Sequence, residues 1–333
     1  MTDDCFESTV GSCVGAGVGA GAIDAGVVDA EAAAAAKALL ERENNLLLSF
    51  EWDSLAGWLP NPATDTNKYA RGKLVLCAGS ARYPGAACLA AIASQRAGAG
   101  YTEVVTEAPA VPIVQAAGYS LVVRAADDRC ASDMPAAQEN RPVAVAVGCG
   151  FDAADPASER RVCTVLRAAQ CPALVDGGGL ACLSRLEARM LLEDRASKGF
   201  ATVITPHAGE AARLARTFGI GTESPIIEAH ELARQLHAVV VLKGPNTYIA
   251  DGEDVIEMPF GTPALAKAGT GDVLAGVIGA LLAQGIAPMR ACLLGTALHA
   301  RAGIAAAADL SDIAVTAEDV IDYLPQAILD MKE

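Results

Sequence analysis

Residues 73–106 read KLVLCAGSARYPGAACLAAIASQRAGAGYTEVVT, and this stretch decides the fold class. Lys73–Ala78 is a short apolar run stopped by Gly79-Ser80, the pattern of a strand buried on both faces. Gly85–Ala97 has helical composition, Gly98 stands near its C-cap, and Tyr101–Thr106 returns to strand texture. Such strand–helix–strand alternation predicts right-handed crossovers and parallel strands.

The alternation continues outward. Short apolar runs at Val143–Val147, Ala173–Val175, Ala201–Ile204 and Val239–Leu242 are separated by helical stretches such as Ala157–Ala169 and Gly209–Thr217. A hairpin is expected next, Asn246–Ala250 and Asp254–Met258 about Asp251-Gly252. From Gly271 the chain reads as helices over Asp272–Gln284, Pro288–Ala307 and Ala317–Met331. The expected fold is α/β, a three-layer α/β/α domain with a mainly parallel sheet, covering residues 51–333. Residues 1–50 form a low-complexity N-terminal extension. Its Gly/Ala/Val part has no period and is expected to be disordered or weakly ordered, and Glu31–Asn44 is expected to be helical.

Composition fits this reading. Of 333 residues, 52% are hydrophobic and only 4% aromatic, so the core is built from Ala, Val, Leu and Ile, which suits helices laid closely on a sheet. Lys and Arg number 25 against 40 Asp and Glu, a net charge of −15. That balance argues against nucleic acid and against anionic membranes. Mean hydropathy is +0.32, yet the longest apolar runs are interrupted, Cys13–Val28 by Asp24 and Val273–Ala307 by Gln284, Arg290, His299 and Arg301. Neither offers the ~20 uninterrupted apolar residues of a membrane span. Asp3, Asp4 and Glu7 stand where a signal peptide would be basic, so a cytoplasmic protein is expected. Ten cysteines include no C-x-x-C pair and read as small buried hydrophobes rather than a zinc site or disulfide framework.

Five segments carry chemistry, each at the end of an expected strand or the start of a helix. Ala268-Gly269-Thr270-Gly271-Asp272 opens an apolar helix, so the turn can bring unpaired backbone amides against phosphate charge, with Asp272 at its lip to take a proton from an attacking hydroxyl. An ordinary N-cap aspartate is the alternative. Val240-Val241-Leu242-Lys243-Gly244, with Thr247 beyond, puts one ammonium at the carboxyl edge of the sheet, where open α/β sheets bind ligands. Thr205-Pro206-His207-Ala208-Gly209-Glu210 places His207 on a strand-to-helix turn, while His230, His237 and His299 fall within expected helices. Gly79-Ser80 with Tyr83–Ala87 is a small-residue loop that permits close approach. Val147-Gly148-Cys149-Gly150 invites a methyltransferase reading, but the acidic residue such a motif carries before its glycines is replaced by Ala144, Val145 and Ala146.

Taken in order, these segments resemble the ADP/ATP-dependent NAD(P)H-hydrate dehydratase family, which has a ribokinase-like fold. The resemblance runs from about Asn67 to Leu324 and is carried by residues 74–100, VGCG (147–150), LVDGGGL (174–180), TPHAGE (205–210), VVLKGPNT (240–247) and ALAKAGTGDVLAGVIGALLAQG (264–285). It implies a lyase that restores NADHX or NADPHX, the cofactor hydrated across C5–C6, to NADH or NADPH. The hydroxyl is phosphorylated at the expense of ADP or ATP, and phosphate then leaves. By resemblance, Asp272 is the base. Ala87, Gly150, His207 and Asp272 bind the hydrate. Lys243, Gly244, Pro245, Asn246, Thr247 and Gly271 hold the nucleotide, and the amides of Gly269, Thr270 and Gly271 clamp the phosphoryl group. In so acidic a chain, such amides with Lys243 and Lys267 would hold nucleotide phosphates in place of a basic surface. Mg2+ is carried by phosphates and water, with no protein metal ligand. A homotetramer, and a separate epimerase in place of the fused half of some relatives, complete the expectation. The chain departs from the family pattern at Cys149, Gly177–Gly179, Thr262 and Ala268, and retains Asp176 and Glu210. A ribokinase-like kinase for a small alcohol, or a non-catalytic nucleotide-binding relative, would share the glycine turn.

Overall fold

The βαβ unit of residues 73–106 is present in the computed structural model, which describes residues 30–126 and 134–332. Strand β1 (Lys73–Cys77), helix α2 (Pro84–Arg96) and strand β2 (Tyr101–Thr106) follow the sequence expectation within a residue or two. β1 lies parallel to both β2 and β4 (Val143–Val147). Beyond β4 come β5 (Ala173–Val175), β6 (Thr202–Ile204) and β7 (Val239–Leu242), all parallel. The hairpin is present as β8 (Thr247–Ala250) and β9 (Val255–Met258), and with β3 (Val122–Ala125) beside β2 the sheet runs β3-β2-β1-β4-β5-β6-β7-β8-β9.

Two elements at the β2 edge were not foreseen, α3 (Val111–Ala117) and β3 (Val122–Ala125). β3 is an edge strand with no fully buried residue, so it lacks the continuous apolar run that marks its neighbours. His237 also differs from expectation. It is no helical residue but the left-handed cap, at φ 48°, that turns α7 (Pro225–Leu236) into β7.

Both sheet faces are covered. Leu74, Leu76, Ala144, Ala146, Leu174 and Val241 face a core shared with α2, α8 (Thr270–Ala283), α9 (Pro288–Leu310) and α10 (Ala317–Asp330). The alternate residues Val75, Val145, Val147, Val175, Ile204 and Val240 face a second core shared with α4 (Pro156–Ala168), α5 (Leu186–Ser197), α6 (Ala208–Phe218) and α7. This period-two division is the pleat itself, and each fully buried Val, Leu or Ile contributes about 1.5–3 kcal/mol. The scarcity of aromatic residues has its counterpart where α8 crosses α2. A Cβ on Gly276 would stand 2.2 Å from the carbonyl of Ala90, so only glycine allows the helices that close.

α9 is long and apolar enough to cross a membrane by length and composition, but most of its apolar stretch is buried. It packs against α8, α10 and the β7–β9 edge. Helix α1 (Ala30–Leu46) matches the expected helix, while most of the Gly/Ala/Val-rich stretch before it lies outside the described residues. The compact unit begins at Arg42 rather than residue 51. Arg42 pairs with Glu231, and the Leu48 amide donates to the Val255 carbonyl at 2.8 Å, so residues 42–50 belong with the sheet edge.

Candidate active site

The carboxyl ends of the parallel strands bring the chemistry together. Val147 is in register with Val175, and Val175 with Ile204. The turns that begin at Gly148, Asp176 and Thr205 are therefore neighbours, although they are far apart in sequence. His207 and Lys243 pair as an isolated parallel bridge beyond β6 and β7, which brings Lys243 over the same edge.

Asp176 is the hub. It is 3% exposed, and its Oδ1 accepts hydrogen bonds from Thr205 Oγ1 at 2.6 Å and from Lys243 Nζ at 3.0 Å. Its Oδ2 faces the Cys149 thiol, which donates at 3.6 Å. Burial works against the Lys243 charge, but Asp176 and Glu210 outweigh it and hold the ammonium above its ordinary range. The Cys149 thiol is pushed well up, first by burial and then by Asp176 and Asp272.

Asp272 completes the group from the other side of the cleft. It lies in the first turn of α8 and is not the N-cap, which is Gly269 at φ 93°. A Cβ at Gly269 would also meet Leu89 at 2.7 Å, so the turn requires glycine. Burial, then the Asp176 charge, raises the Asp272 carboxyl to about 7, while Lys243 and a hydrogen bond from Cys149 oppose the rise. A carboxyl near neutrality is suited to receiving and returning a proton.

The turn expected to bind an anion differs in detail from the expectation. Thr270 is buried; its hydroxyl donates to the carbonyls of Leu265 and Lys267, and its amide points at Lys267 O at 3.4 Å. Thr270 therefore braces the turn. The amides of Gly271 and Asp272, first-turn donors with no intrahelical carbonyl to bond, are the ones left for an anion. Lys267 is directed elsewhere, onto the carbonyl of Ile313.

Lys243, Gly244, Pro245, Asn246, Thr247 and Gly271 all line one cavity of about 600 Å³, whose lining also includes Phe260, Leu265 and Leu274. Thr296 and His299 of α9 line it too, and sequence reading passed over both because they sit mid-helix. Burial holds the His299 imidazole down at about 4, so it is neutral.

The remaining sequence candidates lie outside that cavity's lining. Gly150 is in the turn after β4, where its carbonyl accepts from Ser80 Oγ at 2.8 Å. Ala87 is fully buried behind Gly79 and presents no surface to the cleft. His207 is exposed and caps α6. Its Nδ1 accepts from the amides of Gly209 and Glu210 at 3.0 and 3.3 Å, while Glu210 returns a bond to the His207 amide. Asp176, Thr205 and Cys149 were not singled out as site residues. Their signal in the sequence is position alone, each at or near the first polar place beyond a strand.

The described cysteines carry no disulfide; all but Cys88 are buried, as expected of small hydrophobes, and Cys149 alone stands among the carboxylates of the cleft.

A family model described as NAD(P)H-hydrate dehydratase matches residues 74–326. The bifunctional NAD(P)H-hydrate repair enzyme Nnr of Thermofilum pendens is 35% identical over 83% of this chain and 53% of its own length. This chain thus spans about half the length of that relative. The ADP-dependent (S)-NAD(P)H-hydrate dehydratase of Xanthomonas campestris is 32% identical over 81% of this chain and 92% of its own. Among solved structures, the ADP/ATP-dependent NAD(P)H-hydrate dehydratase of Bacillus subtilis, co-crystallised with ATP/Mg2+, superposes with a TM-score of 0.71 at 28% identity, covering 86% of this chain and 99% of that one.

Proposed function

The chain belongs to the NAD(P)H-hydrate dehydratase family, and we propose that it converts (S)-NADHX or (S)-NADPHX to NADH or NADPH at the expense of ADP or ATP. One observation carries the reading. Asp272, held at about 7, stands at a helix N-terminus close to Asp176 of the Asp176–Lys243 pair and next to Gly271, which with Lys243–Thr247 lines the cavity.

The chemistry follows from the placement. Hydroxide is a poor leaving group, so the hydroxyl of the hydrate must first be made into one that leaves. Asp272 takes its proton as the oxygen attacks the terminal phosphorus of the nucleotide, and AMP or ADP departs. Phosphate then leaves from C6 with the electron pair of the C6–O bond, C5 releases a proton to solvent, and the C5–C6 double bond is restored. The amides of Gly271 and Asp272 and the Lys243 ammonium meet the charge that develops on the transferred group. The loop Lys243–Thr247 with Gly271 holds the nucleotide, while Gly150, His207 and Asp272 surround the hydrate. Ala87 supports that side through Gly79.

A magnesium ion fits this arrangement in one way. Oδ1 of Asp176 is committed to Lys243 and Thr205, its Oδ2 accepts from the Cys149 thiol, and a protonated thiol is no ligand for a hard cation, so while that thiol keeps its proton Asp272 is the carboxylate of the cluster open to magnesium. An ion carried by nucleotide phosphates and water needs no more, and when bound it would neutralise charge on the transferred phosphoryl group. The same reading makes the protein a cytoplasmic homotetramer that receives the other epimer of the hydrate through an epimerase; light scattering on the purified chain checks the assembly.

The test is to incubate the purified chain with hydrated NADH, Mg2+ and either ADP or ATP, and to follow the return of dihydronicotinamide absorbance. Recovery with one or both nucleotides, lost by several orders of magnitude in Asp272→Asn, is expected. A stable phosphorylated product without recovery would establish a small-alcohol kinase instead. No recovery with either nucleotide refutes the proposal.

A further inference from the structure

The geometry points to a second use of the cleft: Cys149, Asp176 and Asp272 form a site for a thiophilic divalent cation of the zinc or cadmium class. The sulfur and one oxygen from each carboxylate lie within 4.8 Å of one another. A tetrahedral zinc centre, with sulfur at about 2.3 Å and oxygen at about 2.1 Å, spaces its ligands by roughly 3.5 Å. The three groups therefore need to draw in by about 1 Å, which side-chain adjustment at the more open Asp272 can supply.

The surroundings are built for this donor set. Thr205 and Lys243 both bind Oδ1 of Asp176, which turns Oδ2 toward the sulfur. Outer-shell bonds of that kind orient a ligating carboxylate. A thiolate and two carboxylates carry three negative charges. A divalent ion together with the Lys243 ammonium, 3.0 Å from Asp176, cancels them. Cys149 is 1% exposed and Asp176 3%, so water is excluded from two of the three ligands, and entry is from the side of Asp272.

Hardness separates this site from any magnesium carried by a nucleotide. Thiolate suits zinc and cadmium, whereas magnesium takes oxygen. On binding, the Cys149 thiol releases one proton to solvent and its sulfur donates a lone pair to the metal; no electron is transferred. The ion then occupies the carboxylate that would receive the hydroxyl proton, so zinc inhibits. That consequence rests on the dehydratase reading, and the binding does not.

Cadmium titration of the nucleotide-free full-length protein is the test, followed by the sulfur-to-metal charge-transfer absorption in the near ultraviolet. One thiolate band saturating at one ion per chain is expected. Zinc should bleach it and excess magnesium should leave it unchanged. Cys149→Ser should abolish the band, and Cys88→Ser, at the partly exposed described cysteine, should keep it. Asp272→Asn, at the open edge of the site, should weaken binding by at least ~10–100-fold. A band that survives Cys149→Ser, disappears with Cys88→Ser, or keeps its affinity in Asp272→Asn overturns the proposal. Saturable binding without inhibition of hydrate repair supports the metal site and refutes Asp272 as the base.

Discussion

Replacing Asp272 by Asn should abolish turnover and, above neutral pH, make the protein more stable. Burial and the Asp176 charge hold this carboxyl at about 7 in place of 3.8. The folded state therefore keeps a proton that the unfolded chain has already released. A group raised in this way contributes its full stability below about pH 4 and loses it as pH rises through about 7. Each unit is worth about 1.4 kcal/mol, so a shift of roughly three units sets an upper bound near 4 kcal/mol. Because Asp272 keeps some contact with solvent, ~2–4 kcal/mol is the working range. Asn is neutral at every pH and closely matches the protonated acid in shape. At roughly 2 °C per kcal/mol for a domain of this size, Asp272→Asn should melt ~4–8 °C above the wild type near pH 8.5, with the gap narrowing steadily toward pH 4. Calorimetry of both proteins without nucleotide, in a series of buffers, measures it. A melting difference that does not grow with pH, or a variant less stable than wild type at about pH 8.5, refutes the placement of a strained carboxyl at this position.

Three further outcomes follow from the same contacts. Asp176→Asn removes a like charge within 4.8 Å of Asp272. The limb on which activity rises with pH should move down by about one to two units, at reduced maximal rate because Lys243 loses its partner; an unmoved limb counts against the coupling. His207→Asp keeps an N-cap acceptor for α6 while removing the imidazole, so it should raise KM for the hydrate with little loss of stability. His207→Ala should raise KM and also cost about 1 kcal/mol in urea unfolding, and equal stability of the two variants would deny the cap. Arg195 donates to the carbonyls of Leu166, Ala169, Cys171 and Ala201 and to the Thr202 hydroxyl from a 2% exposed position. Arg195→Met leaves those carbonyls unpaired and should destabilise by about 3–5 kcal/mol with no change in KM; a loss under about 1 kcal/mol would show that the carbonyls find other donors.

The proposed function asks an acidic chain at −15 to hold nucleotides, and the cleft offers a local means. Lys267 is engaged with a backbone carbonyl, so it adds no charge there. What remains is one lysine held charged by two neighbouring carboxylates, and amides at the end of a fourteen-residue helix buried along its length. Both are held in place by the core and need no basic surface.

Eight of the nine described strands were legible in the sequence alone. Val143–Val147, Ala173–Val175 and Val239–Leu242 were legible to the residue, because strands buried on both faces are unbroken apolar runs between glycine and polar stops. That Lys243–Thr247 would line one cavity was equally legible, since it is one continuous segment after such a strand. The remaining features arise from packing between distant segments. Asp176 meets Lys243 across 67 residues and Cys149 across 27, and no local pattern encodes those pairs. They exist because parallel register sets the ends of β4, β5, β6 and β7 side by side. The same packing buries Ala87 out of reach and commits Thr270 to its own turn. It also brings Asp272 near a second carboxylate, and that proximity under burial raises its proton affinity. Composition names the acid, but only its surroundings in the folded chain set its charge.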